Sequence, residues 1–391
     1  MPNAMLAGAS LLATTRDLPL RLALVHDYLT QYGGAERVLE QLKRLYPDAP
    51  VFTSFVDYNA LPTSFYGWEI HATPVDRLPG VVRFHRALLP TYPAIFRGYR
   101  SALSGYDIVL ADSSAWAHHA AGPGHGGHIC YCHSPARFLY GDQHYLGPAR
   151  LSGASKAILP GVLRGLRALD QRAASHVDCF VANSTTVADR IASAYKRSAR
   201  VIYPPVDVDR FALGGAHVPP EPWHLVVSRV VPHKRVDLAV DACTRQGIPL
   251  KVIGDGRALG ELRRTAGPSV EFLGWQTDDV VVAHVQRCQT LILPAVEDFG
   301  MTAVEAQAAG RPVIAFAGGG ALETVVDDET GVFFADQTVD SLLAAIQRAS
   351  EIPWNPANAV KRAARYNADR FRQEIADVVA EVFDAKQRSM M

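Results

Sequence analysis

The sequence predicts an α/β protein built from two doubly wound parallel-sheet domains, and three observations predict it. Short apolar runs that end in polar residues alternate with longer helical patterns through the first half. The same series begins again at residue 224. Between the two lies VIYPPVDVDRFALGGAHVPPEPW, rich in proline and glycine. Buried parallel strands read as continuous apolar runs rather than as alternation, and strands alternating with helices imply βα units wound about a parallel sheet. The 391 residues suit two such domains at roughly 100–200 residues each. With 48% hydrophobic and 20% charged residues, either domain can bury a core without metals or disulfides.

In order along the chain, residues 1–20 read as a loose extension. MLAGASLLAT (5–14) resembles a short apolar signal region, but no basic segment precedes it and a core-like strand begins at Arg21. RLALVH (21–26) is that strand. It runs into DYLTQYGGAE, and a helical pattern follows at 35–46: strand, glycine loop, helix. VFTSF, DIVLAD, HICYCH and DCFVANS supply further strands of a first domain, 1–204. Residues 205–222 form a linker. HLVVSR, LKVIGD, VEFLGW, TLILPA and RPVIAF supply the strands of a second domain, 223–357. One long helical pattern at 358–387 fills most of the remaining segment, 358–391.

The formal net charge is zero but unevenly spread. Residues 1–220 hold 21 Lys/Arg against 16 Asp/Glu, and residues 221–360 hold 11 against 18. Either the halves face different partners, or the charges are ordinary solvated surface. Five scattered cysteines, an odd number, argue against a disulfide-built secreted domain. Cys130 and Cys132 point the same way in a strand. A metal pair is one reading, but no second pair follows, and core cysteines are the preferred one. No run of 18 apolar residues exists, so no transmembrane helix is expected and the location reads as cytoplasmic.

The densest chemistry lies in PAVEDFGMTAVEAQAAGRPVIAF, 294–316. Glu297 follows a strand; Phe299, Gly300 and Met301 open a helix that carries Glu305. A strand-to-helix turn offers backbone N–H groups and a helix start that favours an anion, and Gly300 lets a ligand approach the backbone. Glu305 suits a cis-diol such as ribose; two surface acids of an ordinary βα unit are the alternative. In VVSRVVPHKRVDLAV (226–240), Arg229 follows a strand and Lys234 precedes a helix, two cations suited to a diphosphate without a metal, or else a solvated basic loop. IGDGRALGELRR (253–264) places Gly254 and Gly256 in a third strand-to-helix turn.

Together these residues resemble the retaining GT-B glycosyltransferases of family 4. Glu297 and Glu305 match their E-x7-E motif. Pro294 before it, Phe299-Gly300 within it and Ala309-Gly310-Arg311-Pro312-Val313 after it match as well, as does GGGALETVVDDETGVFF (318–334). The resemblance implies a GT-B fold, two Rossmann-like domains facing across a cleft. The donor nucleotide sugar would lie on the second domain and the acceptor on the first, with the final helix returning to the first. It implies that Glu297 and the amides of Phe299, Gly300 and Met301 hold the donor sugar and Glu305 the ribose. Arg229 and Lys234 would hold the diphosphate, and the Gly254–Gly256 loop would lie beside the nucleotide. In the first half, Gly33 and Gly34 of QYGGAERV match a glycine loop that meets the donor phosphates across the cleft, and His133, ending HICYCH, matches a histidine near the sugar. His26 and Asp27 are further cleft candidates. Glu36 reads as structural, and Asn183-Ser184 as a helix cap. The implied catalytic set is Glu297, His133, Arg229 and Lys234, with no cofactor beyond the nucleotide-sugar substrate, no metal ligand and no metal requirement.

HDYLTQYGGAERV, YCHSPARFLY and VIYPPVD resemble, more narrowly, bacterial mannosyltransferases of O-antigen and exopolysaccharide assembly. That implies GDP-mannose as donor and a lipid-linked saccharide as acceptor. Residues 81–100, VVRFHRALLPTYPAIFRGYR, fit such an acceptor: Arg83, Arg86, Arg97 and Arg100 alternate with Phe84, Tyr92, Phe96 and Tyr99 and with no acid. Cations attract anionic lipid and aromatic rings suit its interface, so the segment is a candidate for peripheral contact with the inner membrane; core packing of the aromatics is the alternative. Nucleic acid is the poorer partner at a neutral pI. Three rival functions stand: a GT-B sugar-nucleotide 2-epimerase, a non-catalytic sugar-nucleotide-binding protein, and a dinucleotide oxidoreductase, whose G-x-G-x-x-G fingerprint QYGGAE does not supply.

Overall fold

The computed structural model describes residues 20–77, 88, 90–120, 122–123, 126–141, 153–212 and 218–390, with the side chains of 153–158 and 390 left aside. The extension 1–19 and Arg83, Phe84 and Arg86 lie outside these residues.

The first domain is a seven-stranded sheet. Its strands are β1 (Leu22–His26), β2 (Val51–Thr53), β3 (Ile70–Ala72), β4 (Ile108–Ser113), β5 (Gly127–Cys132), β6 (Cys179–Ala182) and β7 (Ala199–Val201). They lie in the order β3-β2-β1-β4-β5-β6-β7, and every pair is parallel. The second sheet has six: β8 (His224–Val227), β9 (Leu250–Ile253), β10 (Val270–Gly274), β11 (Thr290–Leu293), β12 (Val313–Phe316) and β13 (Gly331–Phe334), ordered β10-β9-β8-β11-β12-β13 and again all parallel. Chain direction across each sheet reverses once, at β1/β4 and at β8/β11. Crevices for ligands open there, beyond the strands' carboxyl ends.

The central strands β1, β4, β5 and β11 are buried along their whole length. That is why they read as unbroken apolar runs. Cys130 and Cys132 are buried, unbridged thiols of this core.

The helical pattern at 358–387 is not one helix. It divides into Pro356–Ala363, a short 3-10 turn at Ala364–Tyr366, and Ala368–Met390. Asn367 makes the break: its side-chain oxygen accepts the Arg370 N–H at 2.9 Å, capping the last helix. The Val206 N–H bonds the Tyr366 carbonyl at 2.9 Å. Phe371, Ile375, Val378 and Val379 of the last helix are buried in the first domain's core with Val38, Leu39 and Leu42 of the helix Gly34–Leu45. The linker is not wholly irregular either, since Val208–Ala212 forms a helical turn.

The interfacial reading of the 81–100 aromatics is corrected for two rings. Tyr92 and Phe96 are fully buried in the core with Phe55. The Tyr99 hydroxyl donates to the carbonyls of Thr53 and His71, at 2.8 and 3.0 Å. The helix Tyr92–Gly98, with a proline in its first turn, buries both rings on its inner face.

Candidate active site

The two crevices face each other. From the second domain, β8 leads to Arg229 and Lys234, and β11 leads to Glu297. Lys234 Nζ lies 2.5 Å from Glu297 Oε2, so the acid and one cation already meet. Arg229 is exposed. Gly300 has φ of +89° and caps the helix Met301–Ala308, a conformation a β-carbon would strain. The Phe299 ring is buried between Tyr203 and Tyr366, so only its main chain remains for a ligand. Gly254 is needed for a close approach: a β-carbon there would fall 1.9 Å from the Ser228 carbonyl oxygen. Gly256 is equally tight against the Val230 carbonyl, at 2.3 Å.

Glu305 is buried, which pushes its carboxyl pKa up, while Arg37 opposes the shift. Arg37 comes from the helix Gly34–Leu45 of the other domain and reaches Glu305 at 3.0 Å and Asp278 at 3.1 Å. The glycine loop arrives with it: a β-carbon on Gly34 would stand 3.1 Å from Met301 Sδ. Gly33 is extended, and its N–H donates to Glu36 at 2.8 Å, so Glu36 closes the loop as a structural acid.

His26 and Asp27 are both buried and engaged by other groups of the first domain. The Asp27 carboxylate accepts four backbone N–H groups, from Ser114, Ala115, Trp116 and Ala117, at 2.5–2.9 Å. It thereby fixes the turn after β4. His26 sits between Asp112, 2.9 Å from its Nδ1, and Glu36, 3.8 Å from its Nε2. Burial alone would lower the His26 pKa, but the two carboxylates outweigh it and raise it to about 10. The other Asp112 oxygen lies 2.6 Å from His133 Nε2. Asp112 is held below the usual carboxylate range; burial opposes this, and His133 and His26 prevail. A buried chain therefore runs from the glycine loop through Glu36, His26 and Asp112 to His133, and leaves His133 part-exposed at its end. Asn183 donates to the His133 carbonyl at 3.2 Å, and Ser184 caps the helix Thr185–Tyr195.

Two further contacts join the domains. Asp298, next to Glu297, pairs with Arg190 and, at 2.5 Å, with Arg137. Glu323 accepts the Thr185 N–H at 2.9 Å and its hydroxyl at 2.8 Å. Beside this latch opens a cleft of about 1350 Å³. It begins at Ser134 and Val296, the neighbours of His133 and Glu297. Arg137, Arg167 and Arg190 line the first-domain wall, and Asp237 and Glu261 the other. Chemically, the site offers cations, a helix start and backbone amides to an anionic diphosphate, with a carboxylate and an imidazole on either side of the adjoining space.

Arg37, Asp112 and Asp298 were not among the residues singled out from sequence. Each stood inside a quoted segment, Asp298 between Glu297 and Phe299, Arg37 after Glu36 in QYGGAERV and Asp112 at the end of DIVLAD, and that place was the usable signal.

Comparison with known proteins agrees with this fold. The family described as glycosyl transferases group 1 matches residues 215–367, and that described as glycosyltransferase family 4 matches 32–210. An uncharacterized glycosyltransferase of Methanocaldococcus jannaschii is 30% identical over 187 residues, covering 46% of this chain and 52% of that protein. The GDP-mannose-dependent α-(1-6)-phosphatidylinositol monomannoside mannosyltransferase of Mycobacterium tuberculosis is 30% identical over 235 residues, covering 51% and 61%. The chain thus spans only about half to three fifths of these relatives' length. Among solved structures, Anabaena HepE in complex with UDP and glucose superposes with a TM-score of 0.68 at 20% identity, over 93% of this chain and 100% of that one. Sucrose-phosphate synthase of Thermosynechococcus elongatus does so with 0.70 at 20%, over 94% and 100%. With both halves matched to models of one enzyme class, and two parallel-sheet domains facing across the cleft, the chain belongs to the family 4, group 1 glycosyltransferases of GT-B fold.

Proposed function

We propose that the protein transfers mannose from GDP-mannose, with retention of configuration, to a lipid-linked saccharide acceptor in bacterial surface polysaccharide synthesis. The observation that carries the transfer reading is the Lys234–Glu297 pair at 2.5 Å, set between the ends of β8 and β11 where a donor's diphosphate and sugar would lie. In this reading Arg229, Lys234 and the start of the helix Met301–Ala308 take up the charge of the leaving diphosphate. Glu297 moves from Lys234 to the sugar hydroxyls, and Glu305 moves from Arg37 to the ribose. The leaving phosphate assists attack on the same face of the sugar. His133, held by Asp112, contacts the sugar or the incoming hydroxyl. The donor class is supported by the relatives: the mycobacterial one is named for GDP-mannose, and HepE is crystallised with UDP-glucose.

No helix of the described residues is long and apolar enough to cross a membrane. We place the enzyme on the cytoplasmic side, peripheral on anionic lipid. The arginines of 81–100 would make that contact rather than the buried rings. Arg97 and Arg100 line a pocket of about 330 Å³ with Arg172 and His176 and with no acid among its described lining residues. Co-sedimentation with anionic vesicles should fall as salt rises. It should fall further when Arg83, Arg86, Arg97 and Arg100 are changed to Ser.

The deciding experiment is a donor screen with GDP- and UDP-sugars, with and without excess EDTA. GDP-mannose turnover that survives EDTA is expected, because the cation pair supplies the charge a metal would. Absence of turnover with any donor, or conversion of the sugar nucleotide without an acceptor to its 2-epimer, would overturn the reading.

A further inference from the structure

Behind the relay to His133, the first domain gathers a second polar cluster that the transfer reaction does not use. His118 and His119 lie side by side in the 3-10 turn Ala117–Ala120 that Asp27 fixes after β4. Asp170 comes from the helix Gly153–Ala174. All three are buried, at 2%, 0% and 0% exposure. Nε2 of His118 and Nε2 of His119 each lie 3.0 Å from the same oxygen, Asp170 Oδ1. The three atoms fall within 4.8 Å of one another.

The geometry points to a structural site for a divalent first-row transition metal, zinc foremost, bound by His118 Nε2, His119 Nε2 and Asp170. Ligands about 90° apart on bonds of roughly 2.1 Å stand about 3.0 Å from one another, and two imidazoles with a carboxylate are ligands such ions accept.

Hydrogen bonding alone does not account for the cluster. His119 bonds Asp170 Oδ1 in good geometry. His118 Nε2 is equally near and buried, but it is poorly aligned for a hydrogen bond. A buried donor or acceptor left so is costly, and a cation shared by the three atoms removes that cost.

The surroundings suit a closed metal site. The Tyr195 hydroxyl donates to the other Asp170 oxygen at 3.0 Å, and Ser113 Oγ lies 3.4 Å from His118 Nδ1. Contacts of this kind orient metal ligands. A neutral imidazole that binds through Nε2 carries its proton on Nδ1, so binding shifts the tautomer and changes no oxidation state.

The test reads metal, not turnover. The full chain is expressed with zinc supplied, passed through a chelating resin while folded, and analysed by elemental mass spectrometry. A bound content of roughly one equivalent is expected. His118→Gln and His119→Gln should each lose it with circular dichroism unchanged. Tyr195→Phe keeps all three ligands and should retain metal with a lower melting temperature. Should the histidine variants fail to fold, wild type decides alone. Denatured with chelator and refolded, it should melt higher with Zn²⁺ than without, and Co²⁺ in its place should give visible ligand-field bands. Metal-free wild type with no response to Zn²⁺ overturns the site and leaves a proton-held cluster, as does full metal content in folded His118→Gln.

Discussion

At the scale of single residues, the site rests on groups that hold one another until a ligand arrives. Lys234→Ala removes the partner of Glu297 and one of the two cations for the diphosphate. Loss of a charge-assisted hydrogen bond is worth about 1.5–3 kcal/mol, so kcat/KM should fall at least tenfold while the melting temperature holds; normal turnover would move the donor site elsewhere. His26 makes a different prediction. Its pKa is raised to about 10 by Asp112 and Glu36, against burial. A group raised on folding contributes stability that is fully present below its unfolded pKa, near 6.5, and is lost as pH rises through about 10. Urea midpoints should therefore decline across that window, and His26→Gln should flatten the decline; an unchanged slope would show that the imidazole is not charged between its carboxylates. The same residues show how much of the site was legible. Glu297, Phe299, Gly300, Met301 and Glu305 sit within nine residues of one another, so a single turn and helix start declare themselves in sequence. Arg37 meets Glu305 across 268 positions, and His26 meets Asp112 across 86. No local pattern encodes such meetings, because topology makes them. His118, His119 and Asp170 were silent for the same reason.

At the scale of elements, what was legible followed apolar runs: β10 was read as VEFLGW although half-exposed, while β13, GVFF, is mostly buried and was not read as a strand. β1, β4, β5, β8, β9 and β11 announced themselves as apolar runs because sheet neighbours and helices leave little of them to solvent. β3 and β7 did not. Each is a three-residue edge strand, half-exposed, with the sequences IHA and ARV, and edge pairing asks for no apolar run. The last helix shows the opposite limit. Its periodicity was plain, but the break at Asn367 depends on a cap and on Val206, not on any helix breaker. That helix also stabilises a domain it does not belong to in sequence. Phe371 is fully buried and meets the Tyr131 ring edge-on at 5.5 Å. Phe371→Ala should cost the first domain about 3–5 kcal/mol. Tyr131 lies in β5, so hydrogen exchange at β5 amides is the measurement to make, alongside urea unfolding. Exchange that accelerates in β5 but not in β11 is expected. A loss shared equally by both strands would mean that the helix stabilises the molecule as one unit.

At the scale of the whole molecule, the question is what holds two domains closed around a donor. Among the described residues, three sets of contacts do so: Arg37 with Glu305 and Asp278, Thr185 with Glu323, and Asp298 with Arg137 and Arg190. The first must open for ribose to reach Glu305 in the proposed reaction, so it competes with the donor. Asp298 does not compete. It lies beside Glu297 in sequence but spends its carboxylate on two arginines of the other domain, which, against burial, hold its pKa below the usual range. It therefore favours closure whether or not donor is present. Asp298→Asn keeps the shape and removes the charge. The free enzyme should then open, with a larger radius of gyration in solution scattering, and the donor KM should rise. The pair is about a quarter exposed, so solvent screening discounts it, and an increase of roughly three- to tenfold is the reasonable scale. Saturating donor bridges both domains by itself and should restore kcat to near the wild-type value. High salt should shift wild type toward the variant, since it screens the same charges. A fall in kcat at unchanged KM would contradict this, because it would place Asp298 on the reacting sugar rather than on the latch.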